Sequence, residues 1–475
     1  MKRRVDQLFF YKYRYVIGYS LVILLLGLVI FGARFATRGL SSGEIDSTIT
    51  SHALNSGNFL SSAIINWPFK LLQQNSLALL GLSVFSVKLP AMVLAFAAGL
   101  ALLWLLLKWF KPGITILTLA IAVTAGQFLY CAQSGTPNIL YILYPLLILL
   151  FGLLITTGKH LYYILVPLLA ITIGLSLYTP LMIYLVAVLL IVCVSQPHLR
   201  FFIKNLPVIS LVLGILTFAI TILPLILATM HDVGTVGLLL GKDLISFNIF
   251  ANLHSVATSF LTFNTVEDSS ILTPIFAMPA LALIIYGVYV CTKNRYSARS
   301  YATLALGTVA AAILVFVPDQ FYLITIPAFI FLAVGIETLL QNWYSLFPHN
   351  PYARIAGLVP ILFLVITMGW ASVEHFVYGY WNTPQVAKHY SNDITLVQRN
   401  LKPTSVIVTP KGVKYDFYKI IEDQYPKVQV TASMPTNLQS NLLVVGSSEV
   451  KTKLPLTRIV TSAMAEDADR VYIYE

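Results

Sequence analysis

Apolar runs close to the length of a bilayer crossing, separated by short polar joints, fill most of the chain before its C-terminal quarter. A helix needs about 20 mostly apolar residues to cross a membrane. Segments near that length fall at 15-33, 82-107, 113-131, 137-157, 161-178, 180-195, 207-228, 271-292, 301-317, 320-340 and 355-374. The pattern predicts an α-helical polytopic membrane protein with about eleven transmembrane helices. Two joints are long, 34-81 and 229-270. The first holds two stretches of helical period, 42-56 and 68-80, too short or too polar to span and suited to lying along the interface. The second, with Leu238, Leu239 and Leu240 ahead of Lys242 and Asp243, has the same character. Long loops in a compact protein usually carry function.

The pattern changes after residue 374. A polar amphipathic helix at Asp393 to Asn400 leads into the β-branched run Ser405-Val406-Ile407-Val408, and a second helix follows at Tyr415 to Tyr425. Further strand-like runs sit at 427-430, 442-445, 458-460 and 471-473. Strands alternating with helices predict a small α/β domain over 375-475, after a transmembrane domain over 1-374. The tail has no Gly-rich nucleotide fingerprint and no obvious acid/base pair, so it reads as a lid or docking module.

Composition agrees with the pattern: 58% hydrophobic and 10% charged residues, with a mean hydropathy of +0.81, lie far outside the soluble range. The net charge of +11 would suggest nucleic acid if it were clustered on one soluble face. Most of the excess instead sits in short joints between apolar runs, which points to topology and to no nucleic-acid partner. Placing the N-terminus in the cytoplasm puts about fourteen Lys and Arg in inner segments and about five in outer ones before residue 375, as the positive-inside rule requires. The tail is then extracytoplasmic. The first run follows Lys2, Arg3 and Arg4, is long for a signal-peptide core and lacks a clean cleavage site, so it reads as a retained anchor. Cys131, Cys193 and Cys291 show neither disulfide nor metal-ligand spacing.

Ionisable groups are nearly absent from the spans, which disfavours a proton-coupled pump or an ion channel. They gather instead at the outer boundary. The sharpest cluster is Ser41-Ser42-Gly43-Glu44-Ile45-Asp46-Ser47-Thr48, with His52 two turns beyond Glu44. A carboxylate there suits a general base toward an acceptor hydroxyl, or a divalent-metal ligand. The competing structural reading is a capping box from Ser41 and Glu44. Lys70 and Lys88, with Arg34 and Arg38, are cations against the topological bias, and Lys88 could meet a lipid phosphate as a point charge or simply snorkel.

On these residues the chain resembles the GT-C class of membrane glycosyltransferases, and is similar to glycosyltransferase family 39, which includes protein O-mannosyltransferases and aminoarabinose transferases. Those enzymes carry an acidic motif in the first outer loop, then a small-Pro segment, an interfacial helix and a basic-Leu-Pro motif. Here the counterparts read Gly43-Glu44-Ile45-Asp46, Asn66-Trp67-Pro68-Phe69-Lys70 and Val87-Lys88-Leu89-Pro90, with Phe321-Tyr322-Leu323-Ile324-Thr325-Ile326-Pro327 as a later match. The resemblance implies sugar transfer from a polyprenyl-phosphate donor to a lipid, glycan or protein acceptor at the outer face. It makes Glu44 or Asp46 the catalytic acid/base. Lys88, Lys70, His52, Asn66, Gln133 and Asn138 become substrate-binding candidates. Relatives commonly place Arg and a second acid where this chain reads Gln133-Ser134-Gly135-Thr136-Pro137-Asn138. Asn138 offers neither a base nor a carboxylate ligand, so no metal site is assigned. Two alternatives remain: a lipid-linked glycan flippase, which would want polar residues lining the spans, and a catalytically silent relative whose tail organises other envelope proteins.

Overall fold

In the computed structural model the described residues are 13-32, 39-56, 64-157, 161-262, 271-432, 442-445, 455-461 and 470-474. Arg34 and Arg38 lie outside them.

The chain opens with α1 (Arg14–Gly32), a two-residue strand β1 (Leu40–Ser41), and two polar-faced helices, α2 (Ser42–His52) and α3 (Trp67–Leu80). The bundle continues with α4 (Val84–Trp109), α5 (Pro112–Thr124), α6 (Gly126–Gln133), α7 (Leu140–Thr157), α8 (Tyr162–Ser176), α9 (Met182–Ser195), α10 (Pro197–Lys204) and α11 (Val208–His231). Then come α12 (Ile249–Leu261), α13 (Met278–Lys293), α14 (Ala298–Phe316), α15 (Thr325–Leu346) and the long α16 (Pro351–Asn382). The tail holds β2 (Tyr390–Ser391), α17 (Asp393–Asn400), β3 (Val406–Val408), α18 (Val413–Gln424), β4 (Gln429–Thr431), β5 (Leu442–Val445), β6 (Leu456–Val460) and β7 (Val471–Tyr474).

Among the described residues seven helical segments are long and apolar enough to cross a membrane unaided, and nine if two bent pairs each count as one span. One bent pair is α5 and α6, expected as a continuous helix and turned by 58°. The Thr124 hydroxyl donates back to the carbonyls of Ala120 and Ile121, and Ala125 is extended (φ −60°, ψ 133°), so the backbone ladder stops there. The other is α9 and α10, bent by 87°; α10 starts at Pro197, whose missing N–H suits a first turn. Of the expected spans, α8 and α13 are short at 15 and 16 residues. The chain is thus a multi-pass membrane protein, mostly helical, with a small sheet at its C-terminal end.

Side-chain size sets the packing around α4. Ala91, Ala95, Ala98, Leu102 and Leu105 recur at helical spacing on its buried face, and the small residues let α1 and α7 approach closely. Gly99 would drive a Cβ to 2.6 Å from both terminal methyls of Leu26 on α1.

The tail sheet has strand order β4-β3-β5-β7-β6. β3 runs parallel to β4 and β5, while β7 is antiparallel to β5 and β6. Its helices do not face solvent alone. Ile394, Val397, Phe417, Tyr418, Ile420 and Ile421 share one apolar cluster with Leu40, Ile45 and Leu77 of the first long connection and with Leu82 and Val87 at the start of α4. β1 and β2 pair antiparallel, Leu40 opposite Ser391 and Ser41 opposite Tyr390. The tail therefore docks on α2, α3 and the start of α4.

Candidate functional site

The helix α2 begins as the sequence reading allowed. Ser41 is extended and accepts from the Glu44 N–H at 3.3 Å, while Glu44 Oε2 accepts from the Ser41 N–H at 2.7 Å, a reciprocal capping box. Glu44 does more than cap. Its Oε1 accepts from the Gly135 N–H at 2.6 Å and lies 3.5 Å from Lys88 Nζ, with both side chains only 1% exposed. Lys88 Nζ also donates to the Gly39 carbonyl at 2.9 Å and stands 5.5 Å from the centre of the Tyr390 ring. One buried carboxylate thus joins α2, the turn after α6 and the start of α4. A charge pair this deeply buried survives only when hydrogen bonds satisfy its remaining valences, as they do here.

A neutral latch completes the arrangement. Gln73 on α3 is fully buried; its Nε2 donates to the carbonyls of Val87 and Gly135, and its Oε1 accepts from the hydroxyls of Ser47 and Ser51. Gly135 is thus held at its N–H by Glu44 and at its carbonyl by Gln73. Even a methyl there would force Val87 to shift, since a Cβ on Gly135 would sit 2.6 Å from Val87 Cγ1 and 3.1 Å from the Val87 carbonyl.

The remaining candidates separate. Asp46 is exposed and, two positions along the helix, points to the opposite side from Glu44. His52 reaches away to the tail, Nε2 to Asp423 Oδ2 at 2.7 Å. Lys70 is buried, and burial pushes its amine down to about 8. Asn66 holds a left-handed backbone (φ 56°) before α3, and its Oδ1 is buried without a partner. Gln133 spends its amide on α1, donating to the Ile30 carbonyl at 2.7 Å, with Oε1 left unpartnered. Asn138 is half-buried in a 3₁₀ turn, Pro137–Ile139. Glu44 and Lys88 are therefore the two candidates brought together. Sequence reading missed Gln73, Gly135 and Tyr390. The available signal for the first was Gln73 and Ser76 interrupting the apolar face of α3 with Phe69 and Leu77.

A second feature leads away from the pair. Stacked tyrosines run Tyr141 to Tyr322 (6.1 Å), Tyr322 to Tyr130 (6.4 Å) and Tyr130 to Tyr380 (6.2 Å), and Tyr380 meets Tyr390 edge-on at 5.8 Å. Beside Tyr380 opens an apolar cavity of about 320 Å³, between α16, the segment 271-277 and α13. It is followed along α16 by cavities of about 400 and 270 Å³, the first two sharing Pro279 and the last two Leu339, Pro360 and Ile361. Three apolar cavities thus lie in succession along α16, from Tyr380 and His375 at one end to Trp343 and Leu346 at the other.

A metal does not fit the pair. Glu44 already accepts from two backbone N–H groups and faces an ammonium, and no group of three or more His, Cys, Asp or Glu side chains suited to a metal occurs among the described residues. The three cysteines are free.

No protein-family model and no curated protein matches the sequence. Solved structures do match in fold. ArnT from Cupriavidus metallidurans bound to undecaprenyl phosphate aligns with a TM-score of 0.55 at 13% identity, over 96% of this chain and 98% of that one. The oligosaccharyltransferase of Archaeoglobus fulgidus, tethered to an acceptor peptide containing the NVT sequon, aligns with a TM-score of 0.51 at 12% identity, over 89% of this chain and 64% of that one. Its complex with an inhibitory peptide and a dolichol-phosphate gives a TM-score of 0.50. The fold is that of the GT-C membrane glycosyltransferases.

Proposed function

We propose, from the GT-C fold and the buried Glu44–Lys88 pair linked through Tyr390 and Tyr380 to the apolar cavities along α16, that the chain transfers a sugar from a polyprenyl-phosphate carrier to an acceptor hydroxyl. In this reading residues 1-374 form the membrane domain, residues 375-475 lie outside the cytoplasm with the site, and the N-terminus lies within it. The observation that supports it most is the run of rings between cavity and cation: a prenyl chain matches the apolar lining along α16, and Tyr380, which lines the first cavity, meets Tyr390, which in turn covers Lys88.

The chemistry follows from what each side chain holds at rest. Lys88 is enclosed beneath Tyr390, so a carrier phosphate reaches it when the β2 segment lifts from β1. As the ammonium turns to the phosphate, Glu44 Oε1 is released from its cation and is open to the acceptor. The acceptor hydroxyl then gives its proton to Glu44 while its oxygen bonds to the anomeric carbon. The bond from that carbon to the phosphate oxygen breaks, and polyprenyl phosphate leaves with its charge held by Lys88. Asp46, exposed on the other side of α2, suits an acceptor contact. Purified protein in lipid vesicles, given radiolabelled polyprenyl-phosphate sugars and membrane extract, should label an acceptor; Lys88→Gln and Glu44→Gln should each reduce labelling a hundredfold or more, and Asp46→Asn much less. Labelling that survives both of the first two changes would remove the pair from the reaction.

A specific observation favours a second reading. Both Glu44 oxygens are occupied, and Asn138 stands where an acid is usual, an arrangement equally suited to a silent GT-C protein whose tail organises other envelope proteins. No labelling with any donor, in a protein that still folds, would select it.

A further inference from the structure

At the end of the bundle opposite Glu44, a separate open cavity of about 450 Å³ lies between the end of α13, the joint to α14 and Val334 of α15. Its lining joins buried Cys291 and Val334 to exposed Lys293 and Ser297, with Arg299 between. Arg299 is fully engaged: its Nη1 pairs with Glu337 Oε2 at 3.0 Å and donates to the Trp109 carbonyl at 3.3 Å, and its guanidinium stacks 4.4 Å from the Phe110 ring. Glu337 is thereby neutralised, and residues 285-300 contain no acid. Lys293 and Arg295 remain as excess positive charge, each lying over a tyrosine: Lys293 at 4.6 Å from the Tyr289 ring and Arg295 at 5.2 Å from that of Tyr296.

The positive-inside bias explains the sign of these charges. It does not explain a cavity behind them, nor the surface beside them. Ile285, Tyr289 and Lys293 recur every four residues, so they share one face of α13, and Ile285 and Tyr289 are 62% and 53% exposed. An exposed apolar stripe thus runs from Lys293 back along α13 toward Met278.

We propose that this cavity binds the phosphate of an anionic phospholipid from the surrounding leaflet, with its acyl chains laid along Ile285 and Tyr289. The stripe selects a lipid over a free phosphate ion, since only a lipid has chains to cover it. Cations at helix ends beside a cavity between spans are suited to lipid headgroups, each contributing through charge that fades over a Debye length. The site lies at the far end of α13 from Met278, which lines the cavity beside Tyr380, so the proposal does not depend on sugar transfer.

The test uses the full chain, purified in a zwitterionic detergent and titrated with phosphatidylglycerol, phosphatidylcholine or inorganic phosphate while its melting temperature is followed. Phosphatidylglycerol should raise the melting temperature saturably, and the other two should not. The double change Lys293→Gln with Arg295→Gln should weaken the phosphatidylglycerol response roughly thirtyfold, and Lys111→Gln, a cation on another connection, should leave it unchanged. Equal stabilisation by phosphatidylcholine or by inorganic phosphate would overturn the proposal, as would equal loss in the Lys111 variant. Should the double variant fail to fold, the comparison of the three ligands on the parent protein decides alone.

Discussion

Glu44→Gln is the substitution whose consequences the geometry determines most closely. The change keeps shape and removes charge, so Lys88, 1% exposed, loses the carboxylate beside it and keeps the Gly39 carbonyl as a hydrogen-bond acceptor. At 3.5 Å two unit charges attract by about 5 kcal/mol at an effective dielectric of about 20. Removing one partner of such a pair costs about 3–5 kcal/mol because the other stays buried and uncompensated. The new amide adds a second fault: one of its two ends must turn a donor toward the Ser41 or the Gly135 N–H, both of which now donate to the carboxylate. With an unfolding entropy near 2 cal/mol/K per residue, a chain of this size loses about 1 °C for each kcal/mol, so the single variant should melt about 3–5 °C lower. Lys88→Met should cost a comparable amount, and the double variant should cost less than the sum by at least about 1–2 kcal/mol. Melting curves of the four proteins in one detergent measure the cycle. Strict additivity would show that the two side chains do not interact and would dissolve the pair at the centre of the site.

Three further outcomes follow from the same contacts. Gly135→Ala should destabilise by about 1–3 kcal/mol, and Val87→Ala should recover part of the loss, because Val87 Cγ1 is the nearer obstacle at 2.6 Å; thermal melting of the single and double variants checks it. Gln73→Leu should cost about 1–3 kcal/mol by stranding the Gly135 and Val87 carbonyls, and limited proteolysis should then cut within α2 or α3 first. Lys70 titrates near 8 in the fold against an ordinary 10.5. Between those values the unfolded chain binds more protons, so stability rises with pH across that window and the cost of the buried charge is complete below pH 8; Lys70→Met should flatten the rise in a pH series of melting temperatures.

Much of the architecture was legible because a bilayer leaves few solutions: apolar length gave nearly every helix, and the α2 cap was readable from Ser41 and Glu44. The break at Ala125 was not, because it depends on Thr124 bonding back to its own helix, which a hydropathy pattern does not register. The pairing of Glu44 with Lys88 joined two motifs 44 positions apart only through the resemblance, and the third partner is a backbone N–H at Gly135 that no side-chain motif can announce. The docking of the tail was equally hidden: Asp423 and Gln424 look like solvated ends of an amphipathic helix, yet one meets His52, and the other accepts from the Leu82 N–H at 2.7 Å. Gln398 also donates to the Leu82 carbonyl, so both polar groups of one residue are read by the tail.

The role given to Lys88 stands or falls on where a carrier phosphate binds. A structure of the full chain with a polyprenyl phosphate should place the prenyl chain in the cavities along α16, the phosphate within about 4 Å of Lys88 Nζ, and Tyr390 displaced from above the ammonium. A lipid bound elsewhere, with the Glu44–Lys88 pair still closed beneath Tyr390, would contradict it.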